Sequence, residues 1–147
     1  MATLSGTETV MAFDEQQRRA MRGQLLNLVA AAEAHVTWKM RLGHHVRGTI
    51  REPLESALFG QDGICRLGAW LNSPVSVPYR ETEAWLRLDA AHWDFHRLGA
   101  IIIGQLRAGD RDGAARLFDG EYSTALHSII NSLTELNRLF QEELAAP

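Results

Sequence analysis

From Tyr79 to Leu106 the chain keeps one helical face without interruption. Trp85, Leu88, His92, Phe95, His96, Gly99, Ile103 and Leu106 recur at steps of one to four, which at 3.6 residues per turn places them on one side. An apolar face of that length must be covered, and other helices are its natural cover. In the middle of it stand two imidazoles, four positions apart and so stacked one turn above the other. Any fold for this chain has to bury that face and also satisfy those nitrogens.

Two more segments carry the same period. From Phe13 to about Leu42, Met21, Leu25, Leu28, Ala32 and His35 recur at helical steps, with Asp14 as the cap and Gly43 as the stop. From Asp112 to Leu144, Leu117, Tyr122, Leu126, Ile129, Leu133, Leu136 and Phe140 face inward, and Gly120 marks a bend or a close contact. Gly109-Asp110 is the turn before it. Between the first two long helices the signal is weaker. Ile50, Leu54 and Leu58 suggest a short helix begun by Pro53. A second short helix fits Asp62 to Leu71, with Cys65 near its first turn, ended by Asn72-Ser73-Pro74. No strand alternation or repeat appears. The expectation is an all-α chain, an antiparallel helical bundle of four-helix type with short helices between the first two long ones. Residues 1–12 read as a flexible N-terminus and 13–147 as a single domain.

Composition narrows the function classes. A net charge of -3 over 147 residues gives no general attraction to nucleic acid or anionic membranes. The most apolar run, Leu98 to Gly104, is far too short to span a bilayer. The N-terminus lacks the basic-then-apolar order of a secretory signal. A single cysteine, Cys65, excludes an intrachain disulfide. These features point to the cytoplasm, with Cys65 a reduced thiol or a metal ligand.

Two buried histidines without partners would leave several nitrogens unsatisfied, at a cost of several kcal/mol. A metal satisfies one nitrogen on each ring. His35 shares the peculiarity, falling in line with Leu28 and Ala32, and Cys65 sits beside Ile64 and Leu67. His35, Cys65, His92 and His96 therefore offer three imidazoles and one thiolate from three elements, a donor set suited to tetrahedral Zn2+. His44, His45 and His127 read as surface residues, and Asp94 as pointing away from the histidine face. Asp89, three positions before His92, is a candidate to orient an imidazole.

The blocks "HVTWKMRL" (35–42), "CRLGAWL" (65–71) and "HWDFH" (92–96), in that order and at those intervals, resemble the chemoreceptor zinc-binding (CZB) domain family over about residues 20–144. The resemblance implies that His35, Cys65, His92 and His96 are zinc ligands and that Trp38, Lys39, Gly68 and Trp70 support the site. Ala69 stands where many relatives carry lysine, which leaves the ligands untouched. CZB domains are commonly joined to chemoreceptors or diguanylate cyclases. No such output module accompanies this one, so a stand-alone domain acting in trans is expected.

Four protein ligands fill a zinc shell, whereas a hydrolytic site keeps a position for water, and the chain has no HExxH. The expectation is a regulatory sensor and not an enzyme. It would respond to zinc supply, to oxidation of Cys65, or to both, and signal to a partner in chemotaxis or cyclic-di-GMP pathways. The resemblance implies a homodimer, with residues 13–30 contributing to the interface. The alternatives are a bundle metalloenzyme, for which Glu33, Glu81 and Glu83 are too few and poorly placed, and a purely structural or metal-buffering helical protein.

Overall fold

The computed structural model describes residues 15–49 and 65–145, all of them helix, turn or short connection, with no strand among them. Helix α1 spans Glu15–Arg47 and the short helix α2 spans Arg66–Leu71. A 3-10 turn over Pro74–Tyr79 leads to α3, Glu83–Arg107. Helix α4, Arg111–Leu117, passes through a π-helical turn at Phe118–Tyr122 into α5, Ser123–Ala145.

The start signals are local. Thr82 caps α3 by accepting a hydrogen bond from the Trp85 N–H, and Asp110 caps α4 by accepting one from Gly113 N–H. Between them, Gly109 takes φ +84, a left-handed conformation that turns α3 back on α4 within three residues. The short connection makes α3 antiparallel to the α4–α5 rod, and among the described elements the broadest packing is between α3 and α5. Helix α1 also lies against α5. Its C-terminal half runs past Phe118 towards Arg111, so it too is antiparallel to the rod.

The core is the sum of the three stripes. Leu28, Leu88, Ile102, Ile129, Leu136 and Phe140 are essentially sealed from solvent. Phe140 is held edge-on between Trp70, at 5.8 Å, and Tyr79, at 4.6 Å, which fastens α2 and the 3-10 turn to α5. The antiparallel bundle and the inward faces of α3 and α5 agree with the sequence reading.

Three details differ. Helix α1 does not stop at Gly43. It continues to Arg47, and Gly48 at φ +72 ends it while Thr49 N–H bonds back to His44 C=O. Gly43 is instead a contact residue inside the helix, where an added Cβ would come within 2.9 Å of Phe118 Cζ. Described residues begin at Cys65 in the second short helix, and Cys65 is its N-cap, not a residue of its first turn. Gly120 makes no close contact; it lies in the π turn. The Pro53 segment, residues 1–12, and the side chains of Met21 and Leu25 lie outside what is described.

Candidate metal centre

Each element brings its ligand residue inward for a local reason. His35 follows Leu28 and Ala31 on the buried side of α1 and is itself fully enclosed. His92 and His96, 8% and 9% exposed, occupy α3 between Leu88 and Ile103. Cys65 has extended backbone, φ -82 and ψ 121. Its carbonyl starts α2 by accepting from Ala69 N–H, while its side chain makes no cap. The thiol is thereby turned to the histidines instead of to the helix end.

The four side chains meet. Cys65 Sγ is 3.1 Å from His92 Nε2 and 3.6 Å from His35 Nε2, and His92 Nε2 is 3.0 Å from His96 Nε2. All four donor atoms lie within 4.8 Å of one another. A tetrahedral zinc with nitrogen at about 2.0–2.1 Å and sulfur at about 2.3 Å has edges of roughly 3.3–3.6 Å between its ligands. The closest separations, 3.0–3.6 Å, are near those edges, so the residues are positioned to coordinate a metal ion.

Electrostatics agree with geometry. Burial, the largest influence, holds the His35 imidazole down at about 4; its hydrogen bond to Ala31 opposes this and the nearby His96 adds to it. Burial, then the charges of His96 and His35, holds His92 down at about 3. Both rings are neutral near pH 7 and carry a lone pair each. In His35 its position is fixed. Nδ1 is 2.6 Å from the Ala31 carbonyl, which can only accept, so Nδ1 bears the proton and Nε2 faces the cluster.

The surrounding residues shape the cluster. Trp38 lies edge-on to His35 at 4.8 Å and 6.0 Å from His96. Gly68 faces His92, whose Cε1 would stand in ordinary contact, 3.4 Å, with a Cβ at that position. Trp70 acts through packing on Phe140, and Lys39 lies over the Phe118 ring at 5.5 Å. Phe95 packs on His35 at 5.1 Å and His96 at 5.6 Å, and stacks on Tyr122 at 4.6 Å.

Residues 35–103 match the sequence model of the chemoreceptor zinc-binding domain family. This segment is a CZB domain. The match is shorter than the stretch of resemblance read from the sequence, and it contains all three motif blocks. No curated relative and no solved structure matches the chain. A CZB domain is a sensor or regulatory module and not a known enzyme family.

The other sequence candidates fall outside the CZB cluster. Asp94 is exposed and paired with Arg97 at 3.2 Å, and His127 is exposed. Asp89 is exposed too, and the orienting group that the geometry shows is the Ala31 carbonyl, on His35. His44 and His45 are half-buried and lie outside the cluster; His44 Nδ1 is hydrogen-bonded to Thr49 Oγ1 at 3.1 Å. Glu33, Glu81 and Glu83 are all exposed, so none lines a bundle interior as a di-iron site would need. Sequence reasoning gave no role to Ala31, because a main-chain carbonyl one turn before a histidine leaves no signature. It also gave none to Phe95, whose position between the ligands was the available clue. No helix among the described residues is long and apolar enough to cross a membrane.

Proposed function

We propose that the chain is a zinc-responsive regulator in which His35, Cys65, His92 and His96 bind one Zn2+, and that a partner reads the resulting helix packing. The observation that carries this is the meeting of three imidazoles and one thiol, from α1, α2 and α3, within 4.8 Å. When bound, the ion supplies four bonds that cross-link three helices and so couples metal occupancy to tertiary packing. The protein's own part is to keep the imidazoles neutral by burial, to aim His35 Nε2 through Ala31, and to brace the His35 ring with Trp38 and Phe95.

Four protein donors complete a tetrahedral shell, which favours a sensor over a hydrolase. Cys65 is the chemically softest of the four, and oxidation of its thiolate would weaken one bond in four and give a second input. The output acts in trans on a signalling protein such as a chemoreceptor or a diguanylate cyclase, in the cytoplasm, from a homodimer. The donor set is equally compatible with a metal buffer, and a zinc-dependent partner distinguishes the two.

The test is metal analysis with titration. The parent should hold about one zinc per chain, and Cys65→Ala and His96→Ala should each weaken binding at least tenfold. A Cys65→Ala protein that binds zinc as tightly as the parent overturns the ligand set. A pull-down from zinc-replete and chelator-treated extracts that recovers the same partners at the same yield overturns the regulatory role.

A further inference from the structure

A line of rings runs from the cluster to the π turn. His35 and His96 both meet the Phe95 ring, at 5.1 Å and 5.6 Å and at steep angles of 62° and 86°. Phe95 lies nearly parallel to Tyr122, with centroids 4.6 Å apart and planes 19° from each other. Tyr122 in turn stacks on Phe118 at 5.5 Å. Phe118 ends the line against Gly43 of α1, the helix that carries His35. Phe95 and Tyr122 are each 2% exposed, so packed neighbours and not solvent surround both rings. Phe118 and Tyr122 lie beyond residue 103, outside the CZB match, and belong to the π turn.

A phenyl ring is only loosely fixed by its own χ2 torsion, so its plane is set by what packs on it. Tyr122 covers the flat side of Phe95 and holds that plane. The plane in turn limits how the His35 and His96 rings can lean, and so where their Nε2 atoms stand. Metal donors must be held to within about 0.5 Å by side chains that a supporting layer locks in place. We propose that Tyr122 is a positioning residue of the metal centre, acting through Phe95 to hold the His35 and His96 rings at coordinating spacing. The coupling is reciprocal by linkage. Whatever Tyr122 contributes to zinc affinity, a filled cluster contributes to the stacked state of Tyr122. The π turn is thus where metal occupancy is felt on the α4–α5 rod. The inference rests on the zinc reading for the identity of the ligands.

The experiment measures zinc affinity of the full chain and its variants by competition with a chelator. Tyr122→Phe keeps the ring and should stay within about twofold of the parent, whereas Tyr122→Leu should bind about fivefold or more weakly. In a Phe95→Leu background the same Tyr122→Leu change should have an effect below about twofold, because the ring it acts through is gone. Ile129→Ala, a buried truncation in α5 outside the line of rings, should also stay within about twofold. The chain has two tyrosines, so tyrosine-selective labelling gives two sets of ring signals by NMR. Zinc should shift those of Tyr122, and Phe95→Leu should remove most of that shift. This second readout serves if Tyr122→Leu fails to fold. Parental affinity in Tyr122→Leu, an equal loss in Ile129→Ala, an undiminished loss in the Phe95→Leu background, or Tyr122 signals that ignore zinc each overturn the proposal. The zinc reading fails on a different result, parental zinc affinity in Cys65→Ala.

Discussion

Acid should unfold the metal-free protein in a way its histidines dictate. Burial lowers His35 from 6.5 to about 4 and His92 from 6.5 to about 3 in the folded state. In the unfolded chain both return to about 6.5. Between those limits the unfolded state binds more protons than the folded one, so stability falls as pH drops. At about pH 5 each unfolded imidazole is protonated and each folded one is not. The difference is worth about 2 kcal/mol per histidine, and so about 4 kcal/mol for the pair. That is a large share of the ~5–15 kcal/mol that holds a domain of this size together. The assay is denaturant unfolding of chelator-treated protein at about pH 7 and pH 5, followed by tryptophan fluorescence. The midpoint should move to markedly lower denaturant at the lower pH, with little change in slope. A His35→Gln/His92→Gln double variant should lose most of that pH dependence. Equal midpoints in the parent at both pH values, or an undiminished shift in the double variant, would refute the argument from burial.

Other expectations are simpler. Phe140→Ala removes the ring that Trp70 and Tyr79 enclose and should cost about 3–5 kcal/mol in unfolding free energy, with zinc stoichiometry kept if the fold survives. Gly43→Val drives a branched side chain into Phe118 and should destabilise by about 1–3 kcal/mol in thermal or denaturant melts. Chelation of the metal should lower the melting temperature of the parent by more than it lowers that of His96→Ala.

Much of this molecule was legible in the sequence, for a physical reason. Leu88, Phe95, Ile103, Ile129, Leu136 and Phe140 are buried because helical period and burial are the same constraint, and periodicity can be read directly. His35, Cys65, His92 and His96 were legible as a group because polar groups on an apolar face need an explanation, and the structure brings all four together. Helix ends were less legible. Gly43 and Gly48 both look like stops in a linear string, and only packing against Phe118 tells a contact glycine from a terminating one. Asp89 looked available to the site because one-dimensional spacing counts distance along a helix, whereas Asp94 reads as pointing away. Both are exposed on α3, away from the imidazoles. The main-chain carbonyl of Ala31 had no chance of being seen.

The π turn at Phe118–Tyr122 carries a constraint on length. It accommodates one residue more than a regular α-turn, and Ser123 Oγ donates to the Phe118 carbonyl that the wider turn displaces. Ala114 and Phe118 upstream and Tyr122, Leu126 and Ile129 downstream all face the interior through this local change of pitch. Removing a single residue here would restore a regular α-helix with the downstream face nearly in register, whereas removing one from within α5 would rotate everything from there to Ala145 by about 100°. Related chains should therefore vary freely in side chains on the outside of this rod, and a one-residue difference in its length should fall at this turn and not within the flanking α-helices.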